Sequence, residues 1–144
     1  TIMVQEEVAE RMQTGPGTKD YRALSLAVQY YAKPETVHKV SPACFMPRPN
    51  VGSAVIRLVR YEEPPVKARD EEMLFSVIRA AFNQRRKTLA NALANAPALA
   101  CGGGRTKKVT RQDVCDALDK MALSQTIRGE ALSLEQFAEF CNLL

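Results

Sequence analysis

Cys44-Phe45-Met46-Pro47-Arg48-Pro49-Asn50-Val51-Gly52-Ser53 runs straight into Ala54-Val55-Ile56-Arg57-Leu58. Prolines at alternate positions hold the loop extended and withdraw backbone donors from any ladder. A β-branched strand follows at once, Ser53–Tyr61, in which Val55, Arg57 and Val59 alternate with Ile56, Leu58 and Arg60. Residues 36–40 form a second candidate strand just before the loop. Two strands in such close succession pair antiparallel. A lone aromatic, Phe45, stands at the mouth of the rigid loop, an arrangement that can hold a flat group by stacking.

Outward from this stretch, Ile2–Gln5 is short and apolar, the pattern of a buried strand. Glu7–Met12 suits a short helix that Gly15-Pro16-Gly17 breaks. Asp20–Ala32 is helical by periodicity, with Leu24, Val28 and Tyr31 on one face. Glu62-Glu63-Pro64-Pro65-Val66-Lys67 reads as a linker. Beyond it helix signals dominate. Asp70 caps a helix through Glu71–Asn83, and Thr88 caps one from Leu89 to Asn95. Residues 98–108 are a glycine-rich loop. Thr110 with Asp113 opens a helix to about Met121, and Ser133 with Gln136 makes a capping box for a last helix to Leu144.

Several of these segments together resemble one family, the ribosomal RNA adenine N6-dimethyltransferases. Phe45-x-Pro47-x-Pro49-x-Val51-x-Ser53-x-Val55 is similar to a late motif of that family. Met3–Met12 resembles its strand and helix after the catalytic loop, and Leu24–Tyr31 its next helix. Ala81-Phe82-Asn83-Gln84-Arg85-Arg86-Lys87-Thr88-Leu89 resembles the basic signature of its C-terminal domain. Arg128-x-Glu130-x-Leu132-Ser133-x-Glu135-x-Phe137 resembles its closing helix. The family's glycine-rich cofactor loop and its Asn-Leu-Pro-Tyr catalytic motif have no counterpart here. Gly102-Gly103-Gly104, the one glycine cluster, has no strand before it. The resemblance therefore implies the C-terminal part of such an enzyme, beginning just after the catalytic loop. The implied fold is an α/β remnant, the last strands and helices of a Rossmann-like methyltransferase sheet, over residues 1–62. A small all-α RNA-binding domain over residues 63–144 follows.

Charge supports a nucleic-acid partner. The net charge is only +4, but its distribution is uneven. From Met73 to Gln112 there are eight basic residues, Arg79, Arg85, Arg86, Lys87, Arg105, Lys107, Lys108 and Arg111, and no acid. Residues 61–72 carry five acids against two bases, and residues 113–144 six against two. A surface for a polyanion needs such a window, because a carboxylate there would repel phosphate; a merely solvated basic face is the plainer alternative. On a helical wheel Leu74, Ile78, Ala81, Phe82 and Leu89 share an apolar arc, while Arg79, Asn83, Arg86 and Lys87 face solvent. Arg85 falls inside the apolar arc. Either it is a snorkelling or paired arginine, or the helix breaks near Gln84–Lys87 and restarts at Thr88. The second option is favoured, and would splay Arg85, Arg86 and Lys87 together at a helix N-terminus that attracts phosphate. Asn83 and Gln84 can equally be ordinary polar surface. Arg105, Lys107, Lys108 and Arg111 form a second basic group beside Gly102–Gly104, whose freedom suits either a loop ordered by RNA or a flexible connector.

Other chemistry is thinly supported. No apolar run approaches ~18 residues, so no membrane span is expected. The start does not read as a signal peptide. Four cysteines without Cys-x-x-Cys spacing and a single histidine argue against a zinc site and a disulfide framework, and for free thiols in a reducing, cytoplasmic setting. His38 in a strand reads as a surface or packed residue, and Cys44 has no base at a definable place beside it. The resemblance implies S-adenosylmethionine as the parent enzyme's cofactor, with its site not in this chain, and small-subunit ribosomal RNA in a pre-30S particle as partner. It also implies that Phe45 stacks on the flipped target adenine; without it, a Phe packed under the proline loop would be preferred. Gly52 departs from the aspartate frequent at that family position. A non-catalytic RNA-binding module in ribosome assembly is the alternative reading. It does not need Phe45 in its proline loop.

With no glycine-rich loop between a strand and a helix, calorimetric titration of the 144-residue chain with S-adenosylmethionine should give no saturable one-to-one heat. A stoichiometric site would overturn this.

Overall fold

Ser53–Arg60 becomes a central strand because its alternation gives it one buried face: Ala54 and Ile56 are fully covered while Arg57 and Val59 point to solvent. The structure, a computed structural model, describes residues 1–144, which fold as two units, Thr1–Pro65 and Val66–Leu144.

In the first unit the elements are β1 (Ile2–Gln5), α1 (Glu6–Gln13), α2 (Ala23–Tyr31), β2 (Ala32–Val40), a single 3-10 turn at Pro42–Cys44, and β3 (Ser53–Arg60). The sheet order is β1-β3-β2, and β3 is antiparallel to both neighbours. The anticipated antiparallel pairing of β2 and β3 is present, with β2 longer than the sequence suggested and bulged between Thr36 and His38. Pro34 is tolerated because β2 pairs on one side only. Ala9 and Met12 of α1 pack on Ala54 and Ile56, with Val4, Val8, Val28 and Leu58 around them.

Two expectations fail here. β1 is not buried: Ile2 and Met3 are 42% and 55% exposed, and only Val4 joins the core. A run of apolar residues fits a strand covered on both faces, but within this chain α1 covers one. The inward face of α2 is Ser25, Leu26 and Tyr30, whereas Leu24 and Tyr31 are exposed. Ser25 explains the shift. Its hydroxyl donates to the Arg11 carbonyl at 2.5 Å and accepts the Arg22 N–H at 3.1 Å, so a polar side chain is buried without an unmet hydrogen bond. Gln29, also on α2, donates to the Met12 and Thr14 carbonyls and closes the end of α1.

The second unit contains α3 (Glu71–Asn83), α4 (Leu89–Ala94), β4 (Leu99–Cys101), β5 (Arg105–Lys107), α5 (Arg111–Lys120), a 3-10 turn at Gly129–Ala131 and α6 (Leu134–Leu143). Every cap read from the sequence is formed. Asp70 Oδ1 accepts Met73 N–H at 2.9 Å, and Thr88 Oγ1 accepts Asn91 N–H at 3.4 Å. Thr110/Asp113 and Ser133/Gln136 make reciprocal boxes. Leu74, Leu93, Leu118, Leu132, Phe137 and Phe140 are fully buried, and Phe82 lies against Phe137 with ring centroids 6.3 Å apart. Asn142 fastens the incoming segment by accepting from Arg69 N–H and donating to the Lys67 carbonyl.

This unit is not all-helical. Residues 98–108, read as a loop, form the antiparallel hairpin β4–β5. Gly103 and Gly104 take φ values of +76° and +72°, a conformation that favours glycine, and turn the chain. The hairpin is held from outside itself: Gly102 N–H donates to Asp70 Oδ2 at 2.8 Å, and Ala100 N–H to Ser76 Oγ at 3.0 Å.

Asp70 thus serves two backbone donors, first Met73 and then Gly102, which hold its carboxyl below its ordinary 3.8. A lowered native value gives stability that is fully present above the unfolded value and is lost as pH falls through the native one. Asp70→Ala should therefore melt at a lower temperature than wild type at neutral pH, and the two should converge in acid below about pH 3.8. A pH-independent gap would contradict this. At Gly129 a Cβ would stand 2.8 Å from Ala81 Cβ. Gly129→Ala should destabilise the second unit by about 1–3 kcal/mol in urea titration.

Candidate nucleic-acid interface

The basic residues of the acid-free window fall into two electrostatic groups. Arg79, Arg86, Lys87 and Arg111 are exposed, and no acid or carbonyl of the chain engages their side chains. The other four are engaged. Arg85 Nε donates to Glu130 Oε2 at 2.8 Å, and Arg128 approaches the same carboxylate at 3.9 Å. Arg105 Nε donates to the Gly102 carbonyl at 3.1 Å. Lys107 Nζ donates to the Leu144 oxygen. Lys108 Nζ donates to the Ala96 carbonyl at 2.6 Å and reaches Ala94 O at 3.5 Å, at the C-terminal end of α4 where a cation is favoured.

The helix breaks where the favoured reading put it. α3 ends at Asn83, Lys87 N–H closes a turn on the Gln84 carbonyl at 2.8 Å, and α4 begins after Thr88. Its consequence differs from expectation in two ways. Arg85 is not splayed with its neighbours; it is one-third exposed and turned to Glu130. Nor is the N-terminus of α4 an open anion site. Thr88 satisfies Asn91 N–H, and Leu89 N–H donates to the Ile127 carbonyl at 2.8 Å. Gly102–Gly104, for its part, is an ordered turn rather than a connector.

Sequence reasoning missed a concave surface. A cavity of about 260 Å³ opens between α3 and the end of α4, with Arg79, Asn83, Gln84 and Asn95 at its rim and Ala92 and Leu99 in its floor. A second recess, of about 370 Å³, is lined by Asn83, Gln84, Arg85, Arg86 and Lys87. Asn83 and Gln84 belong to both. The wheel signalled only that Asn83 lies on the face of Arg79 and Arg86; the far wall, at residues 95–99, comes from beyond α4.

In the first unit Phe45 is half-buried at the exit of the Pro42–Cys44 turn, and its N–H donates to the Pro42 carbonyl at 3.2 Å. Met46 beside it is 99% exposed. Ser41 starts the turn by accepting Ala43 N–H at 3.3 Å. Gly52 ends the loop by accepting Glu6 N–H at 3.0 Å. A Cβ at Gly52 would lie 2.8 Å from Glu6 Oε2. Glu6 is paired with Lys39, whose ammonium is held above its ordinary value chiefly by that hydrogen bond. An aspartate at position 52 would set a second carboxylate against Glu6. His38 and Cys44 are exposed; Cys101, Cys115 and Cys141 are buried free thiols. Burial, with the Asp70 charge second, pushes Cys141 up to about 12, so it is no nucleophile at neutral pH. No helix is long and apolar enough to cross a membrane.

Residues 1–132 match the family model described as ribosomal RNA adenine dimethylase. The chain is 56% identical over 144 residues to the ribosomal RNA small subunit methyltransferase A of Lachnoclostridium phytofermentans, covering 100% of this chain and 47% of that protein. It is 47% identical over 143 residues to the protein of the same name from Geobacillus thermodenitrificans, covering 99% and 46%. The chain spans about half the length of the curated relatives it matches. Among solved structures it is similar to a dimethyladenosine transferase from Plasmodium falciparum, with TM-score 0.71, 20% identity, and coverage of 96% and 54%. It is also similar to the 23S rRNA methyltransferase ErmE, with TM-score 0.59, 24% identity, and coverage of 99% and 52%. At these identities the likeness is one of fold.

The Arg85–Glu130 pair joins residues 45 positions apart and is only part-buried, so its net worth is about 1 kcal/mol or less. Glu130→Gln should lower the melting temperature of the chain slightly. It should also raise RNA affinity or leave it unchanged, because one carboxylate is removed from beside the basic residues. A fall in RNA affinity without loss of fold would show that Glu130 does more than hold Arg85.

Proposed function

The chain belongs to the ribosomal RNA adenine dimethylase family, and from that membership we propose that it is the C-terminal part of an S-adenosylmethionine-dependent rRNA adenine N6-dimethyltransferase. Its target is small-subunit ribosomal RNA during assembly of the pre-30S particle in the cytoplasm. Residues 1–62 are the end of the methyltransferase domain and residues 63–144 the RNA-binding domain. The observation that carries this reading is the window from Met73 to Gln112 in the second unit, which holds no acid and in which Arg79, Arg86, Lys87 and Arg111 are exposed with no acid or carbonyl on their side chains.

The exocyclic amine of adenine is a poor nucleophile because its lone pair is delocalised into the ring. Catalysis then rests on positioning the amine rather than on a strong base. S-adenosylmethionine supplies the methyl group. The residues of this chain do not make its cradle: the glycine cluster is a hairpin turn whose first N–H is already taken by Asp70. The cofactor and the atoms that orient the amine belong to the rest of the parent enzyme. What this chain contributes is capture of the RNA and support of the target base. Arg86, Lys87, Arg79 and Arg111 contact phosphates. Arg85 reaches them only by sharing its charge with Glu130, and Arg105 and Lys108 add long-range attraction while bonded to carbonyls. Phe45 stacks on the extruded adenine, offsetting the few kcal/mol that extrusion costs.

In the parent enzyme Phe45→Ala should reduce methylation by about 5- to 150-fold, the range of one lost base–aromatic stack, with RNA affinity nearly unchanged. Loss of affinity with turnover kept would remove Phe45 from the base site. Replacing Arg85, Arg86 and Lys87 by Ala should weaken RNA binding and flatten the slope of log K against log salt by about 0.7–0.9 per lost phosphate contact. Arg86 and Lys87 should account for most of it. An unchanged slope in a folded variant would move the phosphate contacts to Arg105–Arg111.

A further inference from the structure

We infer that the recess shared by Asn83 and Gln84 is a pocket for a single unpaired nucleotide of RNA, with the base in the 260 Å³ cavity and its flanking phosphates on Arg79, Arg86 and Lys87. The inference rests on the second unit being an RNA-binding one, and adds that it reads a base rather than backbone alone.

Shape comes first. The cavity is smaller than the ~300–1,000 Å³ that drug-sized ligands occupy, and suits one planar ring. Its floor is apolar: Ala80, Ala92 and Leu99 line it and are at most 8% exposed. Chemistry comes second. Three side-chain amides, Asn83, Gln84 and Asn95, stand at the rim, and none is used in a hydrogen bond within the chain. A carboxamide offers a donor and an acceptor side by side; a base edge can use both, whereas a phosphate, an acceptor only, uses just the donor. Unpaired bases are the ones whose edges are free to be read this way.

Electrostatics comes third. The nearest cations lie at the two ends of the recess, Arg79 at the cavity and Arg86 and Lys87 beyond Gln84, so a chain of phosphates can run across it. The C-terminal carbonyls of α4 at the far wall would repel an anion. Lys108 covers them through Ala94 and Ala96. The turn that closes Lys87 N–H on the Gln84 carbonyl fixes the amides and the cations in one rigid segment.

The test uses the 144-residue chain and three RNA hairpins of the same stem: fully paired, with one bulged nucleotide, and with an abasic bulge. Wild type should bind the bulged hairpin more tightly than the other two. Asn83→Ala with Gln84→Ala should abolish that preference, a loss of about 5- to 150-fold on the bulged hairpin, and leave the paired hairpin and the salt slope unchanged. Ala98→Phe, at an exposed position on the cavity wall, should abolish it by filling the pocket. Arg86→Ala with Lys87→Ala should instead weaken all three and flatten their salt dependence. Equal binding of the three hairpins by wild type, or a preference that survives in both folded pocket variants, overturns the pocket while leaving the phosphate surface standing. No binding of any hairpin overturns both.

Discussion

The turn at Gln84–Lys87 is the constraint on which the second unit depends. Without it α3 would run on and carry Arg85 into the apolar arc shared by Leu74, Ile78 and Phe82. The chain avoids this with three local devices: Lys87 N–H closing on Gln84, Thr88 capping α4, and Leu89 N–H reaching Ile127. Arg85 then meets Glu130 from the segment that also brings buried Gly129 against Ala81. A helix break that looks like a flaw in the hydrophobic pattern therefore sets three things: where α4 lies, where the cavity opens, and which cations stay free.

Segregation of charge follows a related logic. A cluster of cations on a small domain repels itself, and the usual remedy is to interleave acids. Here Arg105 and Lys108 are satisfied by carbonyl oxygens. A carbonyl orders the side chain and meets its donors but cancels no formal charge. The residues are fixed while their positive field remains available to a polyanion. Arg85 is the member of the window that forms a salt bridge with an acidic side chain, Glu130 outside it, and it is also the one that the packing half-buries.

What the sequence made legible was whatever is decided within three or four residues. The four caps, the end of α3, the restart at Thr88 and the pairing of β2 with β3 all rest on local hydrogen bonds or on period-2 alternation. The hairpin β4–β5 was not legible because its partners are remote: Gly102 looks to Asp70 and Ala100 to Ser76, and three-residue strands carry almost no alternation to read. The buried face of α2 was misjudged because Ser25 is covered through two hydrogen bonds that a hydrophobicity pattern cannot register. Of the candidate site, the identity of the basic residues was readable but not their sorting into free and engaged ones, since Arg85 and Glu130 lie 45 positions apart. The amides Asn83 and Gln84 were visible as polar residues only. Their place at a cavity depends on the far wall at residues 95–99.

The Phe45 loop shows the same economy in the first unit. Eight residues, 45–52, link the 3-10 turn to β3, and most are exposed. A free loop of that length would lose much conformational entropy on holding a base. Both of its ends are tied before any ligand arrives. Ser41 and Pro42 fix the entry through Ala43, Cys44 and Phe45 N–H groups, and the Gly52 carbonyl fixes the exit to the start of α1. Prolines at 47 and 49 restrict the span between. Glu6, which receives the exit, is itself held by Lys39 from β2, so the loop is referenced to a helix and a strand at once. Gly52 belongs to this arrangement: the Glu6 carboxylate fills the space where a side chain at 52 would stand. The exit is therefore fastened by backbone and by a neighbouring acid, not by its own side chain. An aromatic presented on a loop already ordered in this way can stack on a base with little further ordering.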